Sequence, residues 1–460
     1  PVLRDLELES RFGLAYVDMD PWAYFPRPEA GGGIGFYRDL DRTCASIAQA
    51  SARDAAAYRE FVGFWGPLNE AVFEAFLHPP TPARLGWTVL RGAARSPAAR
   101  RVLNHPDLLR RLMTNYGRLI RETFESEEMR AAMTWLAAQS GPPPDELASG
   151  DLFGWYAMMH RCGARRALGG SGALTQAMAR CLVHHGGEVR VNAAVDRIEL
   201  SPAGRAEAVH VDGERLEARA VVAACHVQTT FLELLRDARL PDGLVRRVEE
   251  LRVGNGFGMI VRHGVTELPR YPGVAHDARG ISEAHGALQL LCPSMDYLAA
   301  AHRDYLAGRP PRDPAVIAMT FSALDPTLAP PGKHTLFTWA QYHPYQLRTG
   351  EHWDDIAERE ADRIYEVVCR QAPNMRGKVE GRFIQTPLAL ERLLGLRRGN
   401  VMHLEMSLDQ MFGFRPLPEL SAYRTPVPGL YLTGASTHPG GGVFAASGYN
   451  CARVVEAALR

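Results

Sequence analysis

Residues 429–448 read Gly-Leu-Tyr-Leu-Thr-Gly-Ala-Ser-Thr-His-Pro-Gly-Gly-Gly-Val-Phe-Ala-Ala-Ser-Gly. The apolar run Leu430–Thr433 predicts a short buried strand. The glycine-bearing run Gly434–Gly442 predicts a turn, and the small residues of Val443–Leu459 predict a helix. A buried strand that leads through a turn into a helix is typical of an α/β protein, so this stretch decides the fold class.

The turn has the composition of a ligand cradle. Glycines at positions 440, 441 and 442 carry no Cβ atom, so backbone N–H groups there can approach a ligand closely. The N-terminus of the following helix presents free N–H groups and a positive dipole end. Such an end suits a pyrophosphate or a flavin ring with negative charge at N1–C2=O. Geometry alone leaves a second interpretation open, an ordinary strand, turn and helix that close a domain.

Composition excludes several classes of protein. The chain has 460 residues, of which 52 are basic and 52 acidic. A net charge of zero gives no field that attracts nucleic acid, and we predict no such partner. Seven scattered cysteines without Cys-x-x-Cys spacing predict reduced thiols in a cytoplasmic protein and no metal site. No apolar run reaches the ~18 residues of a membrane span.

The amino-terminal part reads as short strands and turns followed by helices. Gly31–Gly35 lacks the spacing of a phosphate loop and predicts a flexible hairpin turn. Apolar residues at helical spacing predict a helix over Ser51–Phe76. The stretch Arg84–Arg121 carries nine arginines. It is either a membrane-contacting surface or a solvated helix face.

The pattern changes after residue 166. Ala173–His185 has helical composition, and Gly186-Gly187 stops it. Further on, a long helix is predicted near Trp353–Gln371. Between these two helices lie β-rich runs divided by turn residues: Glu188–Asn192, Val195–Leu200, Ala206–Asp212 and Leu216–Ala224.

The stretch Gly429–Gly448 resembles the C-terminal flavin motif of phytoene dehydrogenase-like FAD oxidoreductases, relatives of carotenoid desaturases and flavin amine oxidases. Other segments resemble parts of that family in the expected order: Arg38–Thr43, Gly169–Ile198, Val221–Leu235, Thr386–Arg392, Gly399-Asn400 and His403. The resemblance implies an α/β (mixed α+β) fold. In it, an FAD-binding Rossmann-like domain of the glutathione-reductase type is interleaved with a substrate domain of sheet plus helices.

The same resemblance divides the chain into five parts. Residues 1–43 are a remnant of the FAD domain with linker strands, and residues 44–160 are the helical part of the substrate domain. Residues 161–235 belong to the FAD domain, residues 236–395 form the sheet and helices of the substrate domain, and residues 396–460 are the C-terminal FAD segment.

The resemblance also implies FAD as the cofactor and gives individual residues a role. Val195 is expected near the adenine, through its backbone, and Gly434 and Ala435 near the ribityl–pyrophosphate. The isoalloxazine edge is expected to meet Gly441, Gly442 and Val443, and Gly440 is a further cofactor-binding residue of the turn. His438 and His403 are candidate catalytic residues, and each is alternatively a structural histidine.

One family element has no counterpart in the sequence. Family members open with a strand, a Gly-x-Gly-x-x-Gly turn and a helix that bind the ADP half of FAD, and residues 1–30 resemble the family segment that comes directly after that unit. We expect that the unit was removed or omitted, or that a separate chain supplies it. FAD binding by residues 1–460 alone is therefore in question.

The predicted function is that of a desaturase or dehydrogenase that removes a hydride from a lipophilic, isoprenoid- or carotenoid-like molecule. Many flavin amine oxidases use a lysine, and Lys333 and Lys378, the only lysines, do not look placed for that role. A flavin-dependent isomerase and a non-catalytic subunit are further alternatives. The predicted location is the cytoplasm, with peripheral membrane contact. Four tryptophans either line an apolar pocket or, for most of them, pack in the core: Trp65, Trp87, Trp135 and Trp155.

Overall fold

The computed structural model describes residues 1–81, 83, 86–88, 91, 94, 96–443 and 445–460. Part of the predicted basic stretch 84–121, and Phe444 of the C-terminal stretch, lie outside the described residues.

The helices and strands confirm the mixed α/β fold class. The strands are β1 (Tyr16–Met19), β2 (Ala23–Pro26), β3 (Gly33–Phe36), β4 (Ala164–Ala167), β5 (Val195–Leu200), β6 (Ala206–Val211), β7 (Glu214–Glu217), β8 (Val221–Ala223), β9 (Gly258–Val265), β10 (Leu288–Leu291), β11 (Ala315–Met319), β12 (His334–Gln341), β13 (Val379–Gln385) and β14 (Leu430–Leu432).

The α-helices of the described chain lie before, between and after these strands. They are α1 (Val2–Asp5), α2 (Leu40–Ala48), α3 (Ala52–Ala75), α4 (Pro97–Leu103), α5 (Leu108–Met113), α6 (Tyr116–Thr123), α7 (Glu127–Ala138), α8 (Gly150–Gly154), α9 (Met159–Cys162), α10 (Gly172–His184), α11 (Leu244–Glu249), α12 (Met295–Leu306), α13 (Trp353–Gln371), α14 (Pro387–Leu394) and α15 (Ala446–Leu459). The predicted helices over 51–76 and 353–371 are confirmed.

The largest sheet of the described chain has the strand order β13-β9-β12-β11-β10-β2-β3. All neighbours are antiparallel except β10 and β2, which run parallel. In β11, Ile317 faces one core cluster, whereas Val316 and Ala318 face the other. This alternation is the two-residue period of a strand that is buried on both faces.

Helices cover both faces of this sheet. Helix α7 lies on one face, where its residues 131–138 are 0% exposed and Trp135 Nε1 donates to Val316 O at 3.0 Å. Helix α13 covers the other face with Ile356, Ile364 and Val368. A helix as completely buried as α7 must be apolar on all sides, and its alanines allow close packing.

Helix α3 is tied to the start of α7 by a buried carboxylate. Asp54 is 0% exposed and accepts the backbone N–H groups of Glu125 at 2.7 Å and Ser126 at 2.9 Å. It also accepts the Ser126 hydroxyl. A buried carboxylate is tolerated where N–H and O–H donors surround it, so Asp54 fixes how the two helices meet.

Two smaller sheets lie beside the large one. Strands β5, β6 and β7 form an antiparallel meander, and β8 pairs parallel with β14. The predicted single strand Leu216–Ala224 was wrong, because residues 218–220 separate β7 from β8. The predicted strand Glu188–Asn192 was also wrong: residues 188–191 have no strand pairing, and Val189 and Val191 are 51% and 76% exposed.

The amino-terminal strands belong to different sheets. Strand β1 pairs with β4, whereas β2 and β3 form a hairpin at the edge of the large sheet. The turn between them confirms the hairpin predicted for the glycines near residue 31. The domain boundaries inferred from the sequence stay predictions. No helix of the described residues is long and apolar enough to cross a membrane.

Candidate functional site

The parallel strand pair β8–β14 leads into the glycine turn. The N–H of Thr433 donates to Ala223 O at 2.9 Å, which extends the pairing by one residue. Gly434 then has φ +84°, and a Cβ atom there would lie 2.7 Å from Ala224 O. Both the left-handed backbone and the close carbonyl require glycine at this position.

The far part of the turn lies against two methionines. A Cβ on Gly440 would lie 2.9 Å from Met406 Sδ, and one on Gly441 would lie 2.5 Å from Met402 Sδ and 2.9 Å from Met402 Cα. Glycine therefore lets this turn pack directly on the segment 402–406. Gly442, with φ +126°, completes the turn.

A buried arginine is hydrogen-bonded to the backbone of the turn and of the segment before it. Arg415 is 0% exposed, and its Nε and Nη2 donate to Ala435 O at 3.1 and 2.8 Å. Its other bonds go to the carbonyls of Met402 at 2.6 Å, Leu404 at 3.4 Å, Glu405 at 3.3 Å and Gln410 at 3.0 Å. Burial lowers the pKa of Arg415 to about 9, which leaves the side chain cationic at neutral pH.

His438 lies at the joint between the turn and helix α3. It is 0% exposed, its ring contacts those of Phe76 and Phe412, which also contact each other, and its Nε2 lies 3.3 Å from Ala75 O at the end of α3. Its Nδ1 is buried without a partner among the described residues. Burial lowers the pKa of His438 to about 4, against the Ala75 hydrogen bond and with a smaller contribution from Arg415, so the ring is neutral.

A second side chain closes the same joint. Asn450 Nδ2 donates to Phe76 O and to the Tyr423 hydroxyl, both at 2.9 Å. Tyr423 in turn donates to His438 O at 2.8 Å. Carbonyls at the end of a helix lack partners within it, and His438 and Asn450 supply them here. The catalytic role inferred for His438 stays a prediction.

His403 lies behind the turn as well. Its Nδ1 is 2.9 Å from Ser436 Oγ, and its ring stacks on His226 with 5.2 Å between centroids. Ser436 Oγ accepts the N–H of Val227 at 3.0 Å, which leaves its hydroxyl proton for His403. Burial, followed by His226 and Arg415, lowers the pKa of His403 to about 3. These contacts are those of a neutral structural residue, and a catalytic role stays a prediction.

The helix after the turn begins later than the sequence predicted. Helix α15 starts at Ala446 instead of Val443 because Ala445 has φ +53°, a left-handed conformation that does not continue a helix. No side chain caps this N-terminus. Val443 is 87% exposed. The uncapped N–H groups and the exposed end of the turn are therefore open to a ligand.

The remaining predicted cofactor residue lies in a neighbouring sheet. Val195 begins β5 opposite Val211 and is 39% exposed. The other end of the β5–β6 pair borders the C-terminal strand, where the N–H of Ala206 donates to Pro428 O at 2.9 Å. The structure thus brings together residues 434, 435 and 440–443, with Val195 at the far end of the adjacent meander.

A cavity of about 430 Å³ shares a wall with the turn. Met402 and Met406 line the cavity on one side and contact Gly441 and Gly440 on the other. The remaining wall includes aromatic rings and a carboxylate: Phe257, Tyr305, Tyr342 and Glu405. Its volume is in the range of small-molecule sites. A larger depression of about 680 Å³, at Tyr24, Tyr37 and His276, shares no residue with the turn.

Glu405 is one of several titratable residues of this cavity wall that sequence reasoning missed; Glu146, His302 and Arg348 are others. Burial raises its pKa, Arg252 lowers it, and the nearby carboxylates of Glu146 and Asp409 raise it further. Its Oε2 lies 3.3 Å from Arg252 Nε. Within the described residues, no group of three or more His, Cys, Asp and Glu side chains is arranged to hold a metal ion.

The four tryptophans lie outside this wall. Trp65 and Trp135 are buried in the main core cluster, which confirms the core interpretation for them. Trp155 donates to Asp151 Oδ2 at 2.7 Å, and Trp87 is 65% exposed. The apolar lining comes instead from Phe257, two tyrosines and two methionines, which only the fold brings together.

The residues present fit the flavin half of FAD. Residues 440–442 are glycines, so the turn carries no side chains there. The N-terminus of α15 is uncapped, and the buried cation Arg415 is hydrogen-bonded to the turn at Ala435 O. The orphaned Nδ1 of His438 adds a buried polar atom in the same turn. The helix N-terminus and the cation suit a ring that carries negative charge, whereas His438 Nδ1 is an acceptor, because Nε2 carries the proton that is donated to Ala75 O.

Comparison with known proteins places the chain among flavoenzymes. Residues 59–263 match the family model of flavin containing amine oxidoreductases. Pyridine nucleotide-disulfide oxidoreductase domain-containing protein 2 of Rattus norvegicus is 31% identical over 482 residues, 99% of this chain and 82% of the relative.

More distant relatives cover the chain almost as fully. A limonene dehydrogenase polypeptide of Castellaniella defragrans is 25% identical over 99% of this chain and 83% of its own length. A lycopene-forming phytoene desaturase of Pseudescherichia vulneris is 24% identical over 95% and 84%. The structure of a putrescine oxidase triple mutant superposes with a TM-score of 0.52 at 12% identity, over 100% of this chain and 86% of the other. That likeness concerns the fold.

The glycine cradle gives a direct test. Gly441→Val places two methyl groups where a Cβ already lies 2.5 Å from Met402 Sδ. We expect bound flavin to fall by about tenfold or more, because overpacking of roughly 1–3 kcal/mol distorts the turn. Flavin absorbance per mole of protein measures this.

Gly63→Ala in helix α3 is the matched control, since a Cβ there meets nothing within 4 Å. It is expected to retain its flavin and its far-UV circular dichroism. A folded Gly441→Val protein with unchanged flavin content would show that this turn does not cradle the ring.

Proposed function

We propose that this chain dehydrogenates a lipophilic small molecule of isoprenoid type. The chain belongs to the family of pyridine nucleotide-disulfide oxidoreductase domain-containing protein 2 within the flavin-containing amine oxidoreductases. The chain is an FAD-dependent oxidoreductase, and FAD when bound supplies the acceptor for a hydride. The substrate class is the part that we propose.

The observation that carries the proposal is the wall that the cavity shares with the glycine turn. The segment that carries Met402 and Met406 lies between the cavity and the glycine turn. A molecule in the cavity therefore lies against the same segment that packs on the turn where the flavin ring is expected. Met, Phe and Tyr side chains favour an apolar molecule. Limonene dehydrogenase and phytoene desaturase, by their names, act on such molecules.

Desaturation also requires a proton acceptor beside the hydride donor carbon. Glu405 lines the cavity, and its raised pKa makes its carboxylate a better base than an ordinary glutamate. In our proposal Tyr305, Tyr342 and Phe257 hold the apolar body and exclude water. A carboxylate oxygen of Glu405 takes the proton from the neighbouring carbon as the C=C bond forms.

The amine oxidase alternative is not favoured. The two lysines both form ion pairs at the surface, Lys333 with Glu380 and Lys378 with Glu267. Neither lines the cavity beside the turn. The lysine that many such oxidases use is thus not supplied by this site.

Anaerobic flavin bleaching tests the function. Limonene, phytoene and a panel of primary amines are each mixed with the flavin-loaded protein. The absorbance of oxidised flavin is followed near its usual maximum, at about 450 nm. We expect a terpenoid to bleach the flavin and the amines to leave it oxidised. Bleaching by amines alone would overturn the proposal.

Glu405→Gln is the variant for this assay. We expect the bleaching rate to fall by roughly 10²-fold at unchanged flavin content, because general base catalysis is lost. In the unaltered protein the rate should rise with pH through the raised pKa of Glu405, since only the ionised form accepts a proton. Glu391→Gln, outside the cavity wall, is the control. An unchanged rate in Glu405→Gln would exclude this base.

We further propose that a strand–Gly-x-Gly-x-x-Gly–helix unit, on a partner chain or an attached segment, covers the end of α10 and residues 188–191. Leu182, Val183, Val189 and Val191 are between 47% and 76% exposed there. Apolar patches of this kind mark interaction surfaces. Covering them would also bring an ADP cradle to the pair β8–β14.

Substitutions that introduce charge on this face test whether the proposed unit docks there. The double substitution Leu182→Glu and Val191→Glu is expected to leave the chain folded, because both side chains are exposed, and to reduce the flavin content of protein purified from cells by about tenfold. Leu394→Glu, on an exposed residue outside the cavity wall, is the control. Equal flavin content in all three proteins would show that nothing docks on this face.

We also propose a peripheral membrane contact at α5 and the loop after α7. Leu109, Met113 and Leu147 are 70%, 46% and 73% exposed, and the N–H of Ala148 donates to Met113 O at 3.1 Å, which brings loop and helix together. The same loop lines the cavity at Glu146. A lipophilic substrate has a short path from such a surface to the cavity.

Vesicle flotation checks this contact. The unaltered protein should float with phosphatidylglycerol vesicles, and Leu109→Ser with Leu147→Ser should reduce the bound fraction by roughly tenfold, since each buried side chain contributes about 1.5–3 kcal/mol. Leu393→Ser, also on an exposed leucine, is the control. Flotation that is equal for all variants, or absent for the unaltered protein, contradicts the proposal.

A further inference from the structure

The edge of the large sheet carries a depression that the preceding proposals do not use. Strand β3 is the outermost strand there. Gly33 and Gly35 lie two residues apart in it, so both face the same side of the sheet. Ile34, between them, is 0% exposed and belongs to the core. The opposite side of β3 therefore has no Cβ atom at two successive positions, and Gly33 lines the depression of about 680 Å³.

Two tyrosine rings occupy the space of the missing side chains. A Cβ on Gly33 would lie 2.4 Å from Tyr24 Cε1, and one on Gly35 would lie 2.7 Å from the Tyr37 hydroxyl oxygen. The Tyr37 hydroxyl in turn donates to Glu283 Oε2 at 2.7 Å. Glycine at these two positions thus lets two phenols and a carboxylate line the same depression.

The hydroxyl of Tyr24 has no partner. Tyr24 is 2% exposed and lines the depression, and its hydroxyl makes no hydrogen bond with any residue that the structure describes. Burial raises the pKa of Tyr24, and the nearby carboxylate of Glu283 raises it further, so the phenol is neutral. Because polar groups buried this deeply normally have a hydrogen-bond partner, this hydroxyl is available to a molecule in the depression.

Ser46 offers a second unused donor. It is 8% exposed and lines the depression. Its Oγ accepts the N–H of Gly35 at 2.9 Å, and its hydroxyl proton has no acceptor within the described part of the chain. Since the Tyr37 hydroxyl lies over the same glycine, Ser46 is close to the pair of Tyr37 and Glu283.

The charged groups that line the depression are compensated except for one. Arg42 pairs with Asp20 at 2.8 Å, and Asp277 pairs with Arg279 at 2.8 Å. Glu283 has no ion pair in the described residues, where a tyrosine hydroxyl is its hydrogen-bond donor. The depression therefore combines unfilled acceptor positions on a carboxylate with two unused hydroxyl donors.

This combination distinguishes between classes of ligand. An ammonium ion donates to Glu283 but has no lone pair for the Ser46 hydroxyl, and Arg42 would repel it. A carboxylate ligand accepts from the hydroxyls, but it has no proton for Glu283 and is repelled by it. Hydroxyl groups both donate and accept. Sugar hydroxyls bind carboxylates in this way, as a ribose hydroxyl does in dinucleotide-binding folds.

We propose that the depression beside β3 binds a neutral polyhydroxylated molecule, either a free sugar or the sugar group of a lipid. Glu283 accepts hydroxyl protons of the ligand, the hydroxyls of Tyr24 and Ser46 donate to its oxygens, and Tyr37 holds Glu283 in place. The depression shares no lining residue with the cavity beside the glycine turn, so this site does not depend on the proposed function.

Saturation-transfer NMR on the unaltered protein measures the binding. Galactose and myo-inositol are titrated, with ethylamine and acetate as charged probes. We expect the polyols to bind with dissociation constants of about 1 mM, because each hydroxyl exchanges a hydrogen bond to water for one to protein and gains little. No binding of either polyol up to about 50 mM, or tighter binding of ethylamine or acetate, would overturn the proposal.

Vesicle flotation separates the two sources of the sugar. Phosphatidylcholine vesicles are prepared with and without galactosyl diacylglycerol. Flotation with the galactolipid vesicles alone identifies a lipid headgroup as the ligand. Binding of galactose without such flotation identifies a free sugar, and either result supports the site.

Variants assign the binding to this depression. Tyr24→Phe removes a hydroxyl without a partner in the described chain, so the melting temperature should not fall, whereas the dissociation constant of galactose should rise about threefold to tenfold. Glu283→Gln should raise it at least about tenfold, because the lost hydrogen bonds are charge-assisted. Glu60→Gln, an exposed glutamate outside the depression, is the control and should leave it unchanged. Unchanged binding in folded Tyr24→Phe and Glu283→Gln would place the sugar elsewhere and overturn the proposal.

Discussion

A guanidinium enclosed by carbonyl oxygens is the constraint on which the site depends. Arg415 holds the carbonyl of Ala435 in the turn and those of Met402 and Gln410 in the preceding segment. A buried carbonyl without a donor costs about 1–3 kcal/mol, although Met402 O also accepts the N–H of Leu404 at 2.8 Å. The turn, the methionine wall of the cavity and the end of strand β14 are thereby fixed relative to one another.

The large sheet explains why the cavity has a stable shape. Its strands are buried on both faces, by α7 on one side and α13 on the other. Phe257 and Tyr342 lie just beyond the ends of β9 and β12, so their rings are positioned by strands instead of mobile loops. Sites built on such elements are held more accurately than sites built on loops alone.

The strand, turn and helix at the C-terminus could be predicted because their signals are local. Glycines, small residues and one short apolar run lie within 32 residues of one another, and the structure differs mainly at the helix start. That difference arises at Ala445, whose left-handed conformation has no signal in a residue that prefers helices. The run Glu188–Asn192 has the composition of a strand, but a strand also needs a hydrogen-bonding partner.

The residues that sequence reasoning missed act through contacts far apart in the chain. Met402, Glu405 and Arg415 lie in a segment of short turns without periodicity, where no pattern singles out one residue. The family resemblance in the part before the C-terminal motif ends at His403, two residues before Glu405, so it indicates the segment without distinguishing its members. Only the packing of Gly440 and Gly441 against this segment shows what it does.

The joint at the end of α3 limits how the molecule can open. His438 and Asn450 donate to the carbonyls of Ala75 and Phe76, so swinging the long helix away from the turn would break both hydrogen bonds and separate the ring of Phe76 from those of Phe412 and His438. Helix α3 and the glycine turn are therefore expected to move as one rigid unit. The Gly-Pro-Pro-Pro loop at residues 141–144 lines another part of the cavity wall with Gly141, Pro142 and Pro143, and its prolines stiffen its backbone.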